Sequence, residues 1–230
     1  MKMEKATNSE RIDQMKDKFI QACRILMNEG LLEGQYNISI RLDKKHMLIN
    51  DNVGPLLITR DNILTNTFEE EVMVGTVHPA IYKARPDVNA VIHAHPLHAI
   101  VLSTTDDELV LVHNPGSLFH GKIKLYKSHG QVNNKDRAED IAKLLGDGTV
   151  ILQRGHGTIV VGKSLEEAVL TTIYLEEAAK VHFMTKIMGT PSYFTKEESE
   201  KVSRQVFKER SVKKAWDHYV SKMNWQMKGL

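Results

Sequence analysis

Val88-Asn89-Ala90-Val91-Ile92-His93-Ala94-His95-Pro96 is the stretch that decides the fold. From Val88 onward it is apolar enough to read as a buried strand. Pro96, which lacks a backbone donor, stops that strand. Side chains two apart on a strand share a face, so His93 and His95 point the same way at its end. Neutral imidazoles at a sheet edge suit zinc, iron or manganese and leave room for a ligand.

A second apolar strand, Thr149 to Leu152, leads into Arg154-Gly155-His156-Gly157. The two glycines let the backbone bend sharply or approach a ligand closely. Each motif has an ordinary explanation. A His-x-His pair arises by chance in a chain with 11 histidines, and Gly-His-Gly can be a plain turn. Taken together, three histidines at two strand ends leave a coordination position open, which is the pattern of a catalytic metal.

Working outward, Glu10 to Glu29 has helical apolar spacing and Gly30 ends the helix. Tyr36 to Arg41 alternates as a strand, with Met47-Leu48-Ile49 and Leu56-Leu57-Ile58 as short partners. His78-Pro79 opens a short helix reaching Arg85. Val110-Leu111-Val112 and Ile159-Val160-Val161 read as strands, and Lys135 to Leu145 as a helix. Ser164 and Thr195 each precede a glutamate at capping-box spacing and start two long helices, one to about Met188 and one to about Asn224. Several strands lie too close together for helical crossovers. The expectation is therefore an α/β fold with a mixed, mainly antiparallel sheet and flanking helices.

Composition adds exclusions. The 230 residues fit one domain spanning 1–230, with 41% apolar residues to fill a core. The formal charge of +2 gives no global pull toward nucleic acid or an anionic membrane. No run is long and apolar enough to span a bilayer, and Met1 to Lys18 lacks a signal-peptide core. Cys23 is the only cysteine, which fits a reducing, cytoplasmic setting.

The run His78-Pro79-Ala80-Ile81-Tyr82-Lys83-Ala84-Arg85-Pro86-Asp87, continuing into the strand quoted above, resembles the central signature of the class II aldolase/adducin family. Arg154 to Thr158, followed by Ser164-Leu165-Glu166-Glu167-Ala168, is similar to the family's second signature. Gly34 to Arg41 resembles its Gly-Asn-x-Ser-x-Arg strand. The resemblance covers about residues 10 to 190. It implies a three-layer α/β/α fold and a homotetramer with active sites between subunits. It also implies one divalent metal per subunit on His93, His95 and His156, most often zinc, with manganese, iron or cobalt as alternatives. A C-terminal tyrosine often reaches the neighbour's metal in this family; Tyr219 and Tyr126 are the candidates, with helix packing the plain alternative for Tyr219.

The chain departs from the family's sugar-phosphate aldolases in two places. Their acid/base glutamate stands four residues before His78, where this chain has Val74. Glu71 is the nearby substitute, although Glu69-Glu70-Glu71 also reads as a solvated acidic loop. Their phosphate-cradling hydroxyls are replaced by Asn50-Asp51-Asn52-Val53-Gly54 and Val72-Met73-Val74-Gly75. Only Asn37 is kept, and Asp51 would repel a phosphate dianion.

These losses favour a lyase that needs no hydroxyl-deprotonating base. The expected activity is decarboxylation of an unphosphorylated hydroxy-aromatic or keto acid through a metal-stabilised enolate. The alternatives are aldol cleavage of a small hydroxy-keto acid or sugar derivative, an adducin-like assembly module, and an Fe(II) oxygenase. Tyr219, Tyr126, His98 or His120 are the candidate proton donors, and Asn37, His98 and His120 the candidate substrate contacts. His78, His113 and His129 could line the pocket or cap surface turns.

Overall fold

The computed structural model describes residues 7–70, 75–109 and 111–227. Seven strands form one sheet: β1 (Asn37–Arg41), β2 (His46–Asn50), β3 (Ile63–Thr67), β4 (Ala90–Ala94), β5 (Ile123–Tyr126), β6 (Val150–Gln153) and β7 (Gly157–Gly162). Their spatial order is β3-β2-β1-β4-β7-β6-β5. All neighbours pair antiparallel except β5 and β6. That parallel pair is joined through a helix, as a crossover requires.

Helices cover both faces: α1 (Asn8–Asn28), α2 (Val77–Ala84), α3 (Leu97–Ser103), α4 (Lys135–Leu145), α5 (Leu165–Met188), α6 (Lys196–Val206) and α7 (Glu209–Met227). Alternation along each strand sorts the core into layers. Ile38, Ile40, Leu48, Ala90, Ile92 and Ala94 pack with α1, α5 and α7. Met47, Ile49, Val91, Ile151, Ile159 and Val161 face the other way, onto α2 and α4. The fold is the expected α/β/α arrangement with a mixed, mainly antiparallel sheet. Among the described residues, no helix is long and apolar enough to cross a membrane.

Helix starts follow their caps. Thr7 and Glu10 form a reciprocal capping box at α1, Thr195 and Glu198 another at α6, and the Ser164 hydroxyl accepts from the Glu167 N–H at α5. Arg41 ties α2 to the sheet. Its guanidinium donates to the carbonyls of Val88, Tyr82 and Arg85 at 2.8–3.0 Å and lies 4.6 Å from the Tyr82 ring centroid.

Several expectations are corrected. Leu56 and Leu57 lie in a turn closed by a Leu57 N–H to Gly54 carbonyl bond and are exposed, while Ile58 is buried in the core outside any strand. Gly54 and Pro55 favour that turn, and β3 lies further along the chain. Val110 falls outside the described residues. Leu111 and Val112 have no strand partner; Leu111 is instead buried in a third core cluster just before a turn at Asn114-Pro115. The last long helix is two, α6 and α7, separated at Phe207 and Lys208. Its apolar positions slip phase there: Val202 and Val206 are four apart, but Val212 follows six residues later. Both α3 and β5 were absent from the sequence reading.

Replacing Arg41 with alanine leaves three carbonyls at the α2 end without their donor. The expected loss is about 2–4 kcal/mol in urea unfolding; an unchanged midpoint would show that α2 is held by packing alone.

Candidate metal centre

Antiparallel register builds the site on the sheet face under α2 and α4. Asn37 lies opposite His93, Ser39 opposite Val91, and His93 opposite Ile159. Gln153 lies opposite Gly157. Directly opposed residues share a face, so all of these except His95, which follows the end of β4, are placed by strand pairing. The turn between β6 and β7, with Gly155 at φ +64°, delivers His156 to the same end.

The three imidazoles converge. The ring centroids of His93 and His95 are 4.9 Å apart, of His93 and His156 5.0 Å, and of His95 and His156 5.4 Å. One ring nitrogen from each lies within 4.8 Å of the others. His93 Nδ1–H donates to the Thr158 carbonyl at 3.0 Å. A carbonyl only accepts, so the tautomer is fixed and Nε2 is left as the ligand atom. His156 Nδ1 is buried without a hydrogen-bond partner. Three neutral nitrogen donors, one of them orphaned, fit a single divalent cation.

Electrostatics keep these rings neutral. Burial, then the neighbouring His95 and His156, push His93 down to about 3. Burial also lowers His95 and His156, and His156 further lowers His95. Neutral imidazole is the form that binds a metal.

Gly157 makes the convergence possible. A Cβ there would lie 2.6 Å from the Ala94 carbonyl oxygen, 2.6 Å from His95 Cδ2 and 3.3 Å from His93 Cε1. No side chain fits.

The triad opens onto a cavity of about 550 Å³. Gln35, Asn37, Asn52, Gln131, Asn133 and Gln153 line it together with His78 and the triad. Among the described lining residues none is an aspartate, glutamate, lysine or arginine. His78, on α2, is fully buried; its Nδ1 lies 2.7 Å from Ser39 Oγ, and burial and then His93 push it down to about 3.

Of the sequence candidates, Asn37 lines this cavity. Tyr126 ends β5 opposite Gln153, on the same face but outside the lining. His98 is held by Glu176, whose carboxylate accepts from His98 Nδ1 at 2.6 Å and from the first amides of α3. That carboxylate neutralises the helix start, so His98 faces α5 and not the cavity. His120 is exposed after a tight turn at Pro115–Phe119. Tyr219 packs on the core beneath α1 and α5; burial and then Tyr174 push it up to about 12. Within one protomer it does not reach the triad's cavity. Glu71 and Val74 lie outside the described residues. The sequence reading missed the other carboxamides. The cluster Gln131-Val132-Asn133-Asn134 was their one visible signal, an amide-rich loop of low charge.

Gly157→Ala is expected to weaken zinc affinity about 10–100-fold by calorimetry; unaltered affinity would mean that the triad tolerates displacement. A pH effect follows from His78 and His93, both neutral when folded and near 6.5 when unfolded. Below 6.5 the unfolded chain binds more protons, so stability falls as the pH is lowered. Metal-free protein is expected to lose up to about 1.4 kcal/mol per pH unit for each of the two histidines as pH falls toward about 5. A urea midpoint that stays flat over this range contradicts their burial as neutral groups.

An L-fuculose phosphate aldolase of Methanocaldococcus jannaschii is 30% identical over 180 residues, covering 75% of this chain and 98% of that one. A 3,4-dihydroxyphthalate decarboxylase of Arthrobacter keyseri is 29% identical over 192 residues, covering 73% and 77%. Among solved structures, an L-fuculose 1-phosphate aldolase from Glaciozyma antarctica superposes with a TM-score of 0.83 at 21% identity, covering 100% and 96%. That likeness is one of fold. Residues 17–183 match the family described as Class II Aldolase and Adducin N-terminal domain, and the chain belongs to that family.

Proposed function

We propose that this metal-dependent lyase decarboxylates an unphosphorylated hydroxy-aromatic or keto acid, with zinc as the first candidate ion on His93, His95 and His156. The observation that carries the reading is the cavity wall: carboxamides and neutral histidines, with no described cation or carboxylate. A phosphate dianion would meet no cationic side chain among the described lining residues. Aldol cleavage needs a base for a hydroxyl proton, and the described wall offers no carboxylate for it.

A divalent cation on the triad supplies Lewis acidity toward a substrate oxygen. The chain's residues do the remaining work. Carboxamides both donate and accept, so Asn37, Asn52 and Gln153 can orient hydroxyl and keto oxygens without charge. In decarboxylation the bond to the carboxyl carbon breaks, and its electron pair stays on the substrate, delocalised toward the hydroxyl- or keto-bearing carbon. One proton must then be returned to the carbon that lost carbon dioxide. Tyr219 of a second copy, or Tyr126, is the proposed donor, with Glu71 as a further acid/base candidate. The exposed apolar side chains Leu97 and Val101 on α3 and Phe183 and Ile187 on α5 support assembly of copies, proposed to be four. We place the protein in the cytoplasm on the strength of its lone buried Cys23.

Aldol cleavage remains the second reading, because the Methanocaldococcus jannaschii relative at 30% identity is named an aldolase. Zinc-loaded protein should release carbon dioxide from one of a panel of hydroxybenzoates and keto acids that includes 3,4-dihydroxyphthalate, and leave L-fuculose 1-phosphate intact. An aldehyde fragment from the sugar phosphate, without carbon dioxide from the acids, would replace decarboxylation by aldol cleavage. His93→Ala is expected to lose bound zinc and at least about 10³-fold in turnover.

A further inference from the structure

His78 carries a polar atom that the triad does not use. Its ring is fully buried on α2, it lines the triad's cavity, and its Nε2 has no hydrogen-bond partner. A buried ring nitrogen left unpaired is costly unless something pairs with it in the working state.

The other ring nitrogen is tied down. Ser39 Oγ lies 2.7 Å from His78 Nδ1 and 2.8 Å from Tyr82 Oη, and Ser39 is itself fully buried. Three groups therefore share two hydrogen bonds, and because Ser39 can donate once but accept twice, the protons can be ordered in three ways. If His78 Nδ1–H and Tyr82 O–H both donate to Ser39, the buried Ser39 proton has no further acceptor among the described residues. If His78 Nδ1–H donates to Ser39 and Ser39 donates to Tyr82, the Tyr82 hydroxyl proton needs another acceptor. The Val91 backbone N–H and the Arg41 guanidinium, which also act on the Tyr82 oxygen, are a donor and a cation. Neither accepts a proton. In the reverse order Tyr82 donates to Ser39 and Ser39 donates to His78 Nδ1, so every proton of the chain is used. The neutral ring then carries its own proton on Nε2.

We propose that His78 Nε2–H is a fixed hydrogen-bond donor to a substrate oxygen in the triad's cavity, its tautomer set by Tyr82 and Ser39. The proposal rests on the reading of this cavity as the active site, and not on which bond is broken. A preorganised neutral donor there would stabilise negative charge developing on a substrate oxygen without importing a net charge. It would also discriminate against ligands with nothing to accept the bond, because the N–H would stay buried and unpaired. Ser39 and Tyr82 act through His78 and are positioning residues.

Histidine-labelled ¹⁵N spectra of the metal-free protein at neutral pH test the tautomer directly. The expected result is one neutral form of His78 with its proton on Nε2, turning into a tautomer mixture in Ser39→Ala. A proton on Nδ1 in the wild-type protein overturns the proposal. Zinc-loaded protein is then titrated with pyruvate and with 2-hydroxybenzoate as probes. Displacement of the His78 Nε2–H resonance by either probe supports donation, and an unmoved resonance with both, up to their solubility, overturns it. A third arm uses turnover, where His78→Gln keeps an N–H near the Nε2 position and His78→Leu does not. His78→Leu is expected to lose about 10²–10³-fold in kcat, with His78→Gln within about tenfold of wild type; equal losses count against the donor. A protein that releases no carbon dioxide but shows the Nε2 tautomer and the displacement refutes decarboxylation and retains the donor.

Discussion

The contact on which the site depends is the approach of Gly157 to the end of β4. Antiparallel register brings β7 beside β4, and the absence of a Cβ lets its first residue lie against the Ala94 carbonyl and the rings of His93 and His95. The same register lets Thr158 accept from His93 Nδ1. One close backbone contact thus sets the position of the triad, the tautomer of its most buried member and the placing of His156, one residue earlier. Burial then keeps all three rings in the neutral form that a cation requires, and repulsion from neighbouring rings adds to it at His93 and His95.

Much of this was legible in the sequence because it depends on local periodicity. The i, i+2 histidines before Pro96, and the glycines flanking His156, announce strand ends directly. The layer sorting also follows from alternation, as in Ala90, Ile92 and Ala94 against Val91. What periodicity does not carry is pairing between distant segments. Gln153 looks like the polar end of a strand until its register with Gly157 places it on the cavity wall. His78 looks like a helix opener until the depth of α2 buries it against Ser39. His98 looked like a pocket residue, but Glu176, far along the chain, holds it at the start of α3. The break between α6 and α7 has no glycine or proline to mark it, only a phase slip.

A wall rich in carboxamides contributes dipoles that suit oxygen-rich ligands, and no described side chain brings a fixed charge. Within the described wall of one protomer, a divalent cation held by the triad would be the source of net positive charge.

The convergence of His93, His95 and His156 would let them hold one cation together. X-ray absorption at the zinc edge of the zinc-loaded protein tests it most directly. Three imidazole nitrogens at about 2.0–2.1 Å are expected, with the outer-shell scattering of the rings, and lighter oxygen ligands completing the shell. Fewer than three imidazoles around the ion, or an oxygen-only shell, would contradict it.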